Sequence, residues 1–147
     1  MLDTLVPSAR EFAQKIAIAE AEEAAKDAKI RHQAELDKKA LLDQLTNPSG
    51  LSDDEAIQRA LKMIENAARN RLKEVQVYRF PNELCTDNGR AINQMEAGWS
   101  ETLTGVPKEI YQLWDRHFRE KGYKLRAEIV DFPNGMPGDV ALTLVWV

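Results

Sequence analysis

One thiol, Cys85, a carboxylate two residues beyond it, Asp87, and the imidazole of His117 are the side chains from which a nucleophilic centre could be assembled. A thiolate needs a base to take its proton, and the base needs a partner to orient it. Cys85 and Asp87 fall beside a strand end and His117 on a helix flank, so only tertiary folding could bring them together. Each also has an ordinary explanation, as a half-buried thiol, a helix-capping carboxylate and a surface histidine. The expectation is therefore that the chain is not an enzyme, with a small Cys85-centred site as an alternative. A single cysteine excludes an internal disulfide, and with only His32 and His117 beside it no metal site has zinc-like ligand spacing. The glycines of Asn88-Gly89 and Asn134-Gly-Met-Pro-Gly138 read as turns and lack the strand-to-helix context of a phosphate loop. No cofactor and no metal are expected.

The aromatic residues offer a different chemistry, that of anchoring a partner. Trp114 and Trp146 fall at core positions of regular elements. Trp99 and Phe132 lie in connecting segments, as does Met136, and these three are the candidate partner-binding residues. The flanking Asp131 and Asp139 would repel phosphate, which favours a protein partner over nucleic acid. The alternative is that Phe132 and Met136 fold back over the end of the sheet.

These residues must be positioned by the segment from Pro107 onward. Pro107 suits a first helical turn and Gly122 a left-handed stop, and between them Ile110, Leu113, Trp114 and Phe118 share one face. Tyr123, Leu125, Ala127 and Ile129 then alternate with charged residues, Phe132 to Asp139 is dense in turn formers, and Val140, Leu142, Leu144 and Trp146 resume alternation. Upstream, Ser52 with Glu55 forms a capping box, opening a helix that buries Ile57, Ala60, Leu61, Ile64, Ala67, Ala68 and Leu72. Glu74 to Phe80 reads as a strand with Val75 and Val77 on one side and Gln76 and Tyr78 on the other, and Thr86 or Asp87 caps a brief helix carrying Ala91, Ile92 and Met95.

The expected fold is α+β, with helices packed on a three-stranded, mainly antiparallel sheet in the order α-β-α-α-β-β. That order resembles a winged helix, which would make Pro107 to Lys121 a recognition helix and Phe132 to Asp139 the wing. The helix mixes Lys108, Arg116 and Arg119 with Glu109, Asp115 and Glu120, and the wing carries no base. DNA binding is thus an alternative that the charges disfavour.

Ahead of this domain, residues 8–45 contain no proline or glycine and are crowded with Ala, Glu, Lys and Gln, the composition of one long helix. Its apolar seam drifts, starting at Phe12, Ile16 and Ala19 and closing at Ile30, Ala34, Leu41 and Leu45. Asn47-Pro-Ser-Gly50 breaks it, so two parts are expected, an alanine-rich arm over 1–50 and a compact domain over 51–147. Phe12, Ile16, Leu41 and Leu45 are the candidate assembly residues, through which the arm would build a homo-oligomer. At 147 residues and 44% hydrophobic the chain has room for one ordinary domain and such an arm. The formal charge of −4 gives no reason to expect nonspecific binding to nucleic acid or anionic lipid. No apolar run approaches the ~20 residues of a transmembrane helix, and Met1 to Pro7 lacks the pattern of a secretory signal, so cytoplasmic residence is expected. The combined expectation is a non-enzymatic interaction or regulatory protein that assembles through a helical arm.

Overall fold

The structure, a computed structural model, describes residues 2–47 and 49–147, with Asp3 by its backbone alone. Met1 lies outside the described residues, and so does Pro48, part of the expected helix break. Contacts divide the chain between Leu41 and Leu42 into two units.

In the first unit a short 3-10 turn, Leu2–Leu5, precedes helix α1 (Ala9–Thr46), which runs on into the second. Ser8 caps α1, its hydroxyl accepting from the Glu11 amide at 3.2 Å. Every side chain from Ala9 to Leu41 is exposed. The seam residues are no exception, with Phe12 51%, Ile16 59% and Ile30 68% exposed.

The second unit is α+β. Its elements follow in the order α2 (Asp53–Arg69), β1 (Glu74–Phe80), α3 (Arg90–Asn93), α4 (Gly105–His117), β2 (Lys124–Ile129) and β3 (Val140–Val145). The three strands form one antiparallel sheet ordered β1-β3-β2. Because β3 is flanked on both sides, its backbone groups are paired along both edges, and it is buried on both faces from Val140 to Leu144. Its inward side carries Val140, Leu142 and Leu144. The outward side carries the small Ala141 and Thr143, which sit between the longer cross-strand neighbours Arg79 and Glu128, and Gln76 and Arg126. Arg126 pairs with Glu74 and with Glu128, so a lattice of long charged side chains flanks the small residues. The alternation expected of β3 is thus present in size, but both sides are buried.

A register shift between Gln76 and Tyr78 interrupts β1. Val75 faces inward before it and Phe80 after it, Val77 is the extra residue, and Tyr78, expected opposite Val77, is half-buried and stacks on Phe80 at 6.1 Å. An extra residue in one strand reverses the facing of those that follow, which is why alternation alone misplaces Tyr78.

The helices hold the inward face of the sheet. Ser52 caps α2, accepting from the Glu55 amide at 3.2 Å. The helix stops at Arg69, and Arg71 turns into the left-handed region (φ 60°). Leu72 therefore follows the helix instead of extending its apolar face, and it is 54% exposed; Leu61 and Ala68 are exposed as well, leaving Ile64 and Ala67 as the buried pair of α2. The expected helix from Pro107 to Gly122 is split at Phe118 into α4 and a 3-10 turn, Arg119–Lys121, closed by Gly122 at φ 95°.

Two clusters make the core. The larger holds Phe80, Leu84, Cys85, Ile92, Leu103, Val140 and Leu142; the smaller holds Ile64, Phe118 and Leu144. Leu42 and Leu45, from the last turns of α1, pack against the larger cluster. There the chain passes so close to Gly105 that a Cβ at that position would collide with the Leu45 carbonyl, and Gly105 also has φ 60°. Both facts require glycine.

The placement of Leu42 and Leu45 sets a measurable difference between two fragments. Residues 42–147 and 51–147 are both expected to unfold cooperatively, the longer melting about 5–10 °C higher through the apolar surface these leucines cover. Non-cooperative melting of the shorter fragment would show that the end of α1 is needed to complete the core.

Candidate functional site

The alternation of small and large residues on α2 and α4 creates an opening that neither helix fills. On α2 the side toward α4 presents Ala56, Ala60 and Met63. On α4 the facing side presents Ile110, Leu113 and Trp114, none of them fully buried. Between the two helices lies a groove of about 610 Å³, floored by Val77, Leu125 and Leu144 of the sheet. This is within the size range of ligand clefts, and the lining is mostly apolar.

Polar contacts tie the helices at the groove's margins. Asp53, at the start of α2, lies 3.3 Å from the Arg116 guanidinium and 2.9 Å from Nε2 of His117 at the end of α4. The hydrogen bond from His117, reinforced by the charge of Arg116, holds the Asp53 carboxyl below its ordinary value. On the other side the Glu109 carboxylate accepts from the Ser49 amide at 3.2 Å. Burial pushes the Tyr78 hydroxyl up, and the Glu109 charge adds to the effect. Arg59 and Lys62 stand on the exposed edge of α2 beside the groove, and among the described residues neither has an acidic partner.

Cys85 is elsewhere. It is 2% exposed in the larger core cluster, where burial pushes its thiol up to about 11 against a hydrogen bond with Thr102. Asp87 accepts from the amides of Gly89 at 3.0 Å and Ala91 at 2.9 Å, and so caps the turn into α3. His117 is engaged with Asp53. The three residues thus have separate structural tasks, and a protonated buried thiol is a poor nucleophile. Among the described residues no group of His, Cys, Asp and Glu could hold a metal ion.

The aromatic candidates part company. Trp99 is half-buried, packs against the larger core cluster and meets Tyr111 edge-on at 5.7 Å. Phe132 and Met136 are 53% and 67% exposed at the tip between β2 and β3. The tip is held by polar contacts: the Asp131 carboxylate accepts from the Asp139 amide at 2.6 Å, and Arg79 of β1 bridges both carboxylates, at 3.4 Å to Asp131 and 2.9 Å to Asp139. Of the assembly candidates, Phe12, Ile16 and Leu41 are exposed on α1, whereas Leu45 is packed on the core. The groove was not anticipated from the sequence, where Ala60, Ile110 and Leu113 read as ordinary core positions. The one signal was alanine in place of a larger residue on the α2 face.

No family model, no curated protein and no solved structure matches the chain.

Three measurements follow from this geometry. Cys85 is expected to resist alkylation at neutral pH in the folded protein and to react readily once it is unfolded. Phe132→Ala with Met136→Ala is expected to shift the melting temperature by no more than about 2 °C, because exposed side chains carry little packing energy. For Asp53 the folded carboxyl titrates below the unfolded value, so its pairing stabilises the protein above the ordinary 3.8, and that contribution is lost as pH falls through the lowered value. The melting-temperature difference between wild type and Asp53→Asn should accordingly be largest above pH 3.8 and shrink on acidification.

Proposed function

We propose that this chain is a non-enzymatic protein-protein interaction or regulatory protein, which assembles as a homo-oligomer through α1 and presents the α+β unit as a binding domain. The observation that carries the reading is the state of α1. A helix in a folded protein normally gains its stability by burying an apolar stripe. Here Phe12, Ile16, Ile18, Ile30, Leu36 and Leu41 are all more than two-fifths exposed. Large apolar side chains so placed along one helix are the kind of surface that association covers.

A second reading is a winged-helix DNA-binding regulator. In its favour stand the element order and the sheet order β1-β3-β2. Against it stands the disposition of charge. Arg116 is committed to Asp53 and Arg119 to Asp115, while the tip that would serve as the wing presents Asp131 and Asp139. A salt-dependent mobility shift with duplex DNA is the observation that would promote this reading. Cytoplasmic residence is part of the proposal; among the described residues no helix is long and apolar enough to cross a membrane.

Mass in solution tests the first reading. The wild-type chain is expected to exceed the monomer mass at micromolar concentration, and Phe12→Glu with Ile16→Glu to return it to the monomer while the melting of the α+β unit is unchanged. A wild type that stays monomeric when concentrated would remove self-assembly from the function.

A further inference from the structure

We propose that the groove between α2 and α4 is the seat of the N-terminal part of α1 from a second copy of the chain, two copies exchanging these segments reciprocally. The inference rests on the reading of α1 as the assembly element and adds what that element lands on.

Two surfaces call for cover. One is the apolar groove, open between Ala60 and Met63 on one wall and Ile110 and Leu113 on the other. The other is the face of α1 bearing Phe12, Ile16 and Ala19, which recur at i, i+4 and i+7 and so form one stripe. An amphipathic helix laid in an apolar groove, anchored by residues at this spacing, is a standard mode of recognition.

Charge selects this segment of α1. Immediately after the apolar stripe, on the same side of the helix, come Glu20 and Glu23, one turn apart. Along the groove's rim stand Arg59 and Lys62, also one turn apart, on α2. All four are exposed, and among the described residues none has a partner of opposite charge. Of the other charges lining the groove, Asp53 is paired with Arg116 and the Glu109 carboxylate accepts from the Ser49 amide; with Glu109 counted against Arg59 and Lys62 the lining is still net positive, where Glu20 and Glu23 are negative. The opposite signs and shared one-turn spacing set the register. Because each copy carries one segment and one groove, reciprocal exchange closes a twofold dimer in which neither surface is left over.

Four full-length proteins test this by light scattering: wild type, Arg59→Glu with Lys62→Glu, Glu20→Lys with Glu23→Lys, and all four substitutions together. Each double reversal should weaken dimerisation about tenfold or more, and the fourfold protein should recover it, because the pairs are then restored with the signs exchanged. The positions are exposed, so circular dichroism melts are expected to match the wild type. If the rim reversal leaves the mass unchanged while Phe12→Glu with Ile16→Glu yields a monomer, α1 assembles against itself and the groove is not its seat. Failure of the fourfold protein to recover also overturns the pairing. Reversals that lower the melting temperature of a protein monomeric throughout would instead mark a contact within one chain. A monomeric wild type with unchanged melts would remove both this proposal and the reading on which it rests.

Discussion

The second unit depends on one strand having no free edge and no free face. β3 is hydrogen-bonded to β1 on one side and β2 on the other, and Val140, Ala141 and Leu142 are inaccessible to solvent. Such a strand must satisfy two different neighbours at once. Its large residues supply the floor on which the helices rest. Its small ones allow the flanking strands to close the opposite face with the stems of arginine, glutamine and glutamate, without a second layer of secondary structure. The buried residues of both core clusters, from Phe80 to Phe118, collect around Val140, Leu142 and Leu144.

The groove is the consequence of how the two longest helices of this unit meet that floor. Each is anchored to the sheet by its own aromatic or aliphatic contacts, Ile64 from α2 and Trp114 from α4, whose indole donates to the Tyr123 carbonyl at 3.0 Å. Where they face one another the α2 side chains are small, and the links between them are polar and lie at the margins. Filling the space with larger side chains would have joined the helices directly. A trough bridged at one margin by ion pairs and lined with Leu and Ile is instead accessible from outside.

Much of this was legible in the chain. Capping at Ser8 and Ser52, the left-handed stop at Gly122 and the period-two run from Tyr123 to Ile129 are local rules, and local rules can be read locally. The α+β class and its element order followed from them. What escaped notice depended on residues distant in sequence. The shift in β1 that brings Tyr78 onto Phe80 is set by pairing with β3, some sixty residues away. The end of α2 at Arg69 left Leu72 exposed, although its spacing matched the apolar face. Leu45 reads as the close of a free helix, and only Gly105, sixty residues on, admits its backbone to the core. The groove is a missing contact, and a pattern of apolar positions records only which side of a helix is turned inward, never how far away its neighbour lies.

The strand order also imposes a schedule on the nascent chain. β3 is synthesised after both strands that flank it, so β1 leaves the ribosome about sixty residues before its only partner exists. Until then Val75, Val77 and Phe80 have an unpaired backbone beside them, the state in which strands pair wrongly. The sheet can be completed only once β3 exists, with β2 joined to it across ten residues gripped by Asp131 and β1 on its other edge. Until then the polar Glu74, Gln76 and Arg79 are interspersed among its apolar residues, a composition that disfavours pairing with a wrong partner.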